Sequence, residues 1–242
     1  MDGRFDRLFP QPKNMMVVGY DTYHDSLKKG RSAGGFVSSL NNSITRFYSR
    51  VSFHDSREEM SSNFAVNIAN GLKRYFEVNR RMPEQIMIYR DGVGEGNIRH
   101  VFEYEVEQVR KAIRQVAQGT SVRLTFTIIS KQVNARFFAV RGNRPENPPP
   151  GTVIDTEVTR KQRYDFYLIA QNVGEGTVTP TMFDMIVDES GWKAHHHQCL
   201  AYKLTHLYYN WQVRLHSGFF TRFSLLLLAG NRESTGPLPI RA

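Results

Sequence analysis

The stretch from residue 44 to residue 91 constrains most strongly what this chain can fold into. An apolar run, "ITRFYSRVSF" (44–53), is followed by Ser56-Arg57-Glu58-Glu59, the S-x-x-E spacing of a helix capping box. Met60, Phe64, Ile68 and Leu72 then recur every four residues, which predicts an amphipathic helix over 57–79. Pro83 closes the connection, and "QIMIY" (85–89) reads as a buried strand running into Arg90-Asp91. A helix that carries the chain between two strands of one sheet makes those strands parallel. Upstream, "NMMVVGYD" (14–21) and "AGGFVSSL" (33–40) read as strands, the second joined to "ITRFYSRVSF" through Asn41-Asn42-Ser43 in an antiparallel meander. Three strands, a helix, a strand, a second helix (97–116) and further strand give an α/β fold with a mixed sheet flanked by helices.

Farther along, "VRLTFTIIS" (122–130) reads as a fifth strand. "ARFFAV" and "TVIDTEVT" are expected to form a hairpin around "RGNRPENPPPG", whose Pro148-Pro149-Pro150 lack donors and exclude helix. "YDFYLIAQ" (164–171) reads as another strand, and His195 to Trp211 as a helix with Leu200, Leu204 and Leu207 on one face. Consecutive residues of that helix point in different directions, so His195-His196-His197 reads as a solvated stretch and not as a metal tract.

The 242 residues suffice for one good-sized domain. The single cysteine, Cys199, excludes an internal disulfide and fits a reducing compartment. The charged N-terminus lacks an apolar signal core, and Leu225–Ala229, the most apolar run, is too short to span a bilayer. The expectation is a soluble intracellular protein with no membrane partner. A net charge of +9 is compatible with a polyanionic partner such as nucleic acid, and equally with a basic but indifferent surface.

If the fourth strand lies beside the first, Asp21 and Asp91 become neighbours at the C-terminal ends of two parallel strands. Two such carboxylates can hold a hard divalent cation through oxygen ligands. Asp-Gly is also a common turn dipeptide, and both readings stay open on pattern alone. Asp155 and Glu157 share a strand face but read as structural. "GVGEG" is no phosphate-binding P-loop, because no Lys-Ser/Thr follows it.

"VVGYDTYHD", "IYRDGVGEGN", "VIDTEVTR", "YDFYLIAQ", "GTVTPT" and "KLTHLYYNW", in this order from Met15 to Trp211, resemble the PIWI domain of Argonaute proteins, specifically the Piwi clade. The resemblance implies a ribonuclease H-like fold. It implies small-RNA (piRNA) guided recognition of target RNA, with silencing-pathway proteins as further partners, in the cytoplasm (perinuclear germ granules included) or the nucleus. Active members cut the target with a D-E-D-H tetrad and Mg2+ or Mn2+. Matched position by position, the tetrad's first Asp is Asp21, its second is Asp91, and its Glu is Glu59, with Asp21 and Asp91 as metal ligands. Glu59 is also the Glu of the capping box, so two roles compete for it. Lys131 and Arg136 match the segment that meets the guide backbone, and Gln171 matches a position that faces the guide.

The pattern departs after Trp211. The family's proline-rich strand and "YAH" helix have no counterpart in residues 212–242, which read as a divergent tail; Leu225 stands at the tetrad His position, and His216 lies in no matching motif. Residues 1–14 read as a linker, 15–211 as the PIWI domain, and the N-terminal, PAZ and MID domains of a full family member are not seen. The expected function is therefore an RNA-guided endoribonuclease with an incomplete site, or a non-cleaving RNA-binding or protein-interaction module.

Overall fold

The structure, a computed structural model, describes residues 14–24, 32–54, 57–91 and 93–206, with backbone alone for His24 and residues 57–60. Leu207 and Trp211 of the expected helix, His216 and Leu225 of the tail, and the capping residue Ser56 lie outside the described residues.

Five strands occupy the positions that the apolar runs predict: β1 (Met15–His24), β2 (Ser32–Ser39), β3 (Phe47–His54), β4 (Gln85–Asp91) and β5 (Arg123–Ser130). Two short strands follow, β6 (Ala139–Arg141) and β7 (Arg144–Glu146), then β8 (Val153–Ile154), β9 (Tyr164–Leu168) and β10 (Thr181–Asp188). The main sheet runs β3-β2-β1-β4-β5-β10-β9-β8. β1, β4 and β5 are mutually parallel, and every other pairing is antiparallel. The parallel centre is what the crossover helix demands, because a chain returning to the same end of a sheet can only add a parallel strand.

Helix α1 (Arg57–Asn79) matches the predicted span, and its Phe64, Ile68, Leu72 and Tyr75 are fully buried. They pack with Met16, Val18, Ile86, Ile88, Leu124 and Phe126 on one face of the sheet. The second helical stretch is less regular than its sequence suggests. A 3-10 turn (Glu95–Asn97) leads into α2 (Ile98–His100), then a π-helical turn (Val101–Glu105), then α3 (Val106–Ala117). The Val106 N–H reaches back to the Val101 carbonyl, closing one wide turn. That turn sits where Glu105 points inward, so an ion pair, not an apolar side chain, fills this part of the face. The other face carries Val17, Met87, Tyr89, Ile129, Phe166 and Phe183, covered by Leu200, Ala201 and Leu204 of α4 (Ala194–Leu204). With helices on both sides, all seven residues of β4 are buried.

Several sequence expectations need correction. β1 does not end at Asp21 but runs on to His24, because residues 21–24 stay paired with β2 after the pairing with β4 has stopped. The hairpin expected between "ARFFAV" and "TVIDTEVT" does not form. β6 instead turns straight into β7, because Gly142 takes a left-handed φ of 62° and allows a tight turn before the prolines are reached. β8 is freed to pair with β9. β10, which the sequence reading missed, lies between β5 and β9. The C-terminal helix ends at Leu204, with Thr205 and His206 already in a turn. Among the described residues, no helix is long and apolar enough to cross a membrane.

His195-His196-His197 is not uniformly solvated either. His195 is exposed, but His197 is buried and its Nε2 lies 3.2 Å from Asp188 Oδ2 and 3.3 Å from Ser190 Oγ. Both contacts use one ring nitrogen, so this Ser-His-Asp set cannot relay a proton as a hydrolase triad does. It ties the end of β10 to the start of α4. Burial pushes the Asp188 carboxyl up, but hydrogen bonds from His197 and Ser190 outweigh it and hold the group below the usual carboxylate range. Between that depressed value and about pH 4, the unfolded chain binds a proton that the folded chain does not. Stability from Asp188 is therefore present above about pH 4 and is lost as pH falls toward the depressed value. Urea melts at a series of acidic pH values should show a shallower pH slope in Asp188→Asn than in wild type. Equal slopes would remove Asp188 from the acid response.

Candidate functional site

The register decides the geometry of the carboxylate pair. Gly19 lies opposite Tyr89 and Tyr20 opposite Arg90, so the next step along two parallel strands sets Asp21 beside Asp91. Side chains alternate along a strand, and Val17 and Tyr89 face α4, so Asp21 and Asp91 point to that same side. Asp91 is 6% exposed and Asp21 is half-buried. Ile129 of β5 stands opposite Asp91, and Lys131, two residues on, returns to the same face. Its Nζ forms an ion pair with Asp91 Oδ2. Lys131 is thus placed on the carboxylate rather than extended into solvent, its side chain only 18% exposed.

The other expected site residues fall around this end of the sheet. Thr181 pairs with Leu168 and Met182 with Ser130, so β9 ends on the side where β4 and β5 end. Gln171, half-buried, follows β9 there. Arg136 is exposed and its Nη1 donates to the Val133 and Ala135 carbonyls at 2.8 Å, which shapes the segment leaving β5. Phe137 anchors that segment edge-on against Tyr167 at 5.2 Å. Glu59 lies in the first turn of α1; its side chain is outside the described residues. The described part of α1 packs on the opposite face of the sheet from Asp21 and Asp91.

Beneath the pair, on the α1/α3 face, a rung of residues crosses the sheet in register: Tyr20, Arg90, Ile128, Asp184 and Asp165. Arg90 is 1% exposed and Glu105 is 1% exposed, with Arg90 Nε 3.1 Å from Glu105 Oε2. Ser61 Oγ donates to Glu105 Oε1 at 3.4 Å, and the guanidinium lies 4.9 Å from the Tyr20 ring centroid. Burial pushes the Tyr20 hydroxyl up to about 12, against the pull of Arg90, so the ring stays neutral and its face remains available to the cation. Farther along the rung, Arg160 binds Asp184 Oδ2 at 2.8 Å and Glu95 Oε1 at 2.7 Å, and Arg163 approaches Asp184 at 3.3 Å. Burial raises the Asp184 carboxyl, with Arg163 and Arg160 opposing it. Sequence reading did not single out any of these groups except Arg90. Two charged positions inside apolar-phased elements, Arg90 in β4 and Glu105 in the second helix, were the available signal.

Two carboxylates on adjacent parallel strands are a donor set suited to a hard cation, and the ammonium on Asp91 shows that this carboxylate accepts positive charge. Among the described residues, no group of three His, Cys, Asp or Glu side chains is gathered for a metal, so Asp21 and Asp91 supply what this part of the chain offers.

An eight-stranded mixed sheet with helices on both faces and acidic residues on two adjacent parallel strands, β1 and β4, defines a ribonuclease H-like domain. The Piwi domain family model matches residues 5–216, and the chain belongs to that family. Piwi-like protein Siwi of Bombyx mori is 46% identical over 226 residues, which cover 93% of this chain and 25% of that protein. Piwi-like protein 1 of Danio rerio is 41% identical over 200 residues, covering 83% of this chain and 23% of that one. The crystal structure of Drosophila Piwi aligns with a TM-score of 0.77 at 30% identity, over 90% of this chain and 30% of that chain. The chain thus spans about a quarter of the length of the curated relatives it matches.

Proposed function

We propose that this chain is the RNA-engaging domain of a small-RNA-guided silencing protein, with Asp21 and Asp91 as the ligands of a divalent cation, Mg2+ or Mn2+. The observation that carries the reading is the register that pairs Tyr20 with Arg90, so that Asp21 within β1 and Asp91 at the end of β4 follow on neighbouring parallel strands, in a member of the Piwi domain family. When bound, such a cation stabilises charge on the oxygens of a phosphodiester. Asp21 and Asp91 hold and orient it. With a cation held there, Lys131 would give up Asp91 and turn to an RNA phosphate at the same end of the sheet. Arg136 and Gln171 extend that surface, Arg136 by charge and Gln171 by hydrogen bonding. Glu59 belongs to the acidic set by the family resemblance alone, since the described part of α1 packs on the opposite face of the sheet.

A second reading, an RNA-binding or protein-interaction module that does not cut, is favoured by two observations. Lys131 neutralises Asp91 in this structure, and Leu225 stands where the resemblance places the tetrad His. Leucine offers no lone pair to an ion, and metal sites depend on ligand count as well as charge.

Both readings require contact with phosphates, and that can be measured without cleavage. Filter binding of a single-stranded RNA should weaken steadily from roughly 50 to 200 mM salt, with a log–log slope of about −0.7 per phosphate neutralised. Arg136→Ala should reduce that slope by about 0.7 and weaken binding to all sequences alike. Affinity that does not respond to salt would contradict the proposal. Cleavage of a guide-matched target by the 242-residue chain, abolished by Asp91→Asn, would decide for the enzyme over the module.

A further inference from the structure

We propose that the buried Arg90–Glu105 pair is a positioning device for Asp91, acting through the sheet from the opposite face. This rests on the reading of Asp91 as a cation ligand and adds the residues that aim it. The guanidinium of Arg90 is held on one side by Glu105, through Nε to Oε2 at 3.1 Å and Nη2 to Oε1 at 3.5 Å. Its remaining nitrogen, Nη1, donates to the backbone carbonyl of Asp91. The guanidinium is planar, so fixing two nitrogens on a carboxylate fixes the direction of the third. The carbonyl it captures belongs to the last residue of β4. Holding that carbonyl limits rotation of the Asp91 peptide, and with it the direction of the carboxylate on the α4 side.

Three elements converge to hold the clamp. Glu105 closes the π-helical turn, the irregularity in the second helical stretch. Ser61 of α1 donates to the same carboxylate, and the Tyr20 ring of β1 lies against the guanidinium. Tyr20 immediately precedes Asp21, so the same cation contacts the residue before one member of the acidic pair and the carbonyl of the other. A buried pair that served only to join α1, α3 and the sheet would have no need of the contact to Asp91.

The test separates positioning from adhesion. Arg90→Met with Glu105→Leu replaces the ion pair by apolar side chains of similar volume, a change that leaves many buried pairs as stable or more so. Made in the 242-residue chain, the double variant should keep the wild-type circular dichroism spectrum. Its Mn2+ affinity, read by calorimetry, should fall about tenfold or more, as when groups supporting a metal ligand are removed. Amide exchange at Asp91 should rise on the order of tenfold while β2 and β3 keep their wild-type rates, which marks a local opening. Glu105→Gln, which keeps the shape and loses the charge, serves as the second variant should the double one fold poorly, and should move both readouts in the same direction by less. Wild-type exchange at Asp91 in either folded variant overturns the proposal, as does raised exchange with undiminished Mn2+ affinity. Mn2+ binding that is absent from wild type, or indifferent to Asp91→Asn, removes the metal reading by itself, and the exchange measurement then decides whether Arg90 positions Asp91.

Discussion

Arg90→Ala lowers the stability of the folded chain by about 3–5 kcal/mol, because it leaves Glu105 as an uncompensated buried charge. Both side chains are about 1% exposed, so water cannot take over the lost contact without opening the packing between α1, α3 and β4. The lost cation also leaves the Tyr20 ring and the Asp91 carbonyl without a donor they now share. Glu105→Ala should cost a similar amount, and the two changes together should cost much less than their sum, since removing both charges leaves neither stranded. Urea midpoints of the four proteins complete the cycle. Additive losses would mean that the two side chains contribute independently, and that the close approach of Arg90 to Glu105 has no energetic weight.

The second large effect concerns Lys131. Its ammonium now occupies Asp91 Oδ2, and a divalent cation must displace it to reach that oxygen. Lys131→Met should therefore tighten Mn2+ binding, on the order of tenfold, the equivalent of one partly buried ion pair no longer broken at each binding event. Asp91→Asn should abolish specific binding in both backgrounds, because a neutral amide replaces the anionic ligand. The same Lys131→Met change should weaken RNA binding and flatten its salt dependence, since one phosphate partner is gone. Opposite signs for metal and RNA in one variant are hard to produce by unfolding. Mn2+ affinity that is unchanged or weaker in Lys131→Met would show that the ammonium does not compete for the site.

These two residues show where sequence reading stopped. For Lys131 the sequence offered an expectation of contact with the guide backbone, because the segment "SKQVNARFF" resembles a family pattern. That it folds back onto Asp91 depends on the β4–β5 register, which no local pattern encodes. Asp21 beside Asp91 was legible for the opposite reason. A crossover helix forces parallel neighbours, and the apolar run of each strand is followed by a carboxylate, although β1 itself continues to His24. α1 was readable to the residue because its four-residue period is unbroken and its apolar stripe packs on one surface. β10 escaped because "TMFDMIVD" places Asp184 within its apolar run; on that face the strand meets Arg160 and Arg163 instead of hydrocarbon. Glu105 escaped similarly: a charged residue in a helix reads as solvent-facing until the strand that carries its partner is packed beneath it.

The place of β10 also has a consequence for how the chain comes off the ribosome. Its position between β5 and β9 means that the described sheet is completed from the inside, and by the last of the described strands to be made. Until then β5 is an open edge, with Phe126, Ile128 and Ile129 beside it uncovered by their final neighbour, while β8 and β9 can pair only with each other. The filler arrives roughly sixty residues after β5, several seconds later at about 5–20 residues per second. During that interval the nascent chain presents an unpaired apolar strand whose backbone groups can accept any other extended segment. The acidic pair asks nothing of β10: β1 and β4, which carry Asp21 and Asp91, are both made before β5 and pair directly with each other.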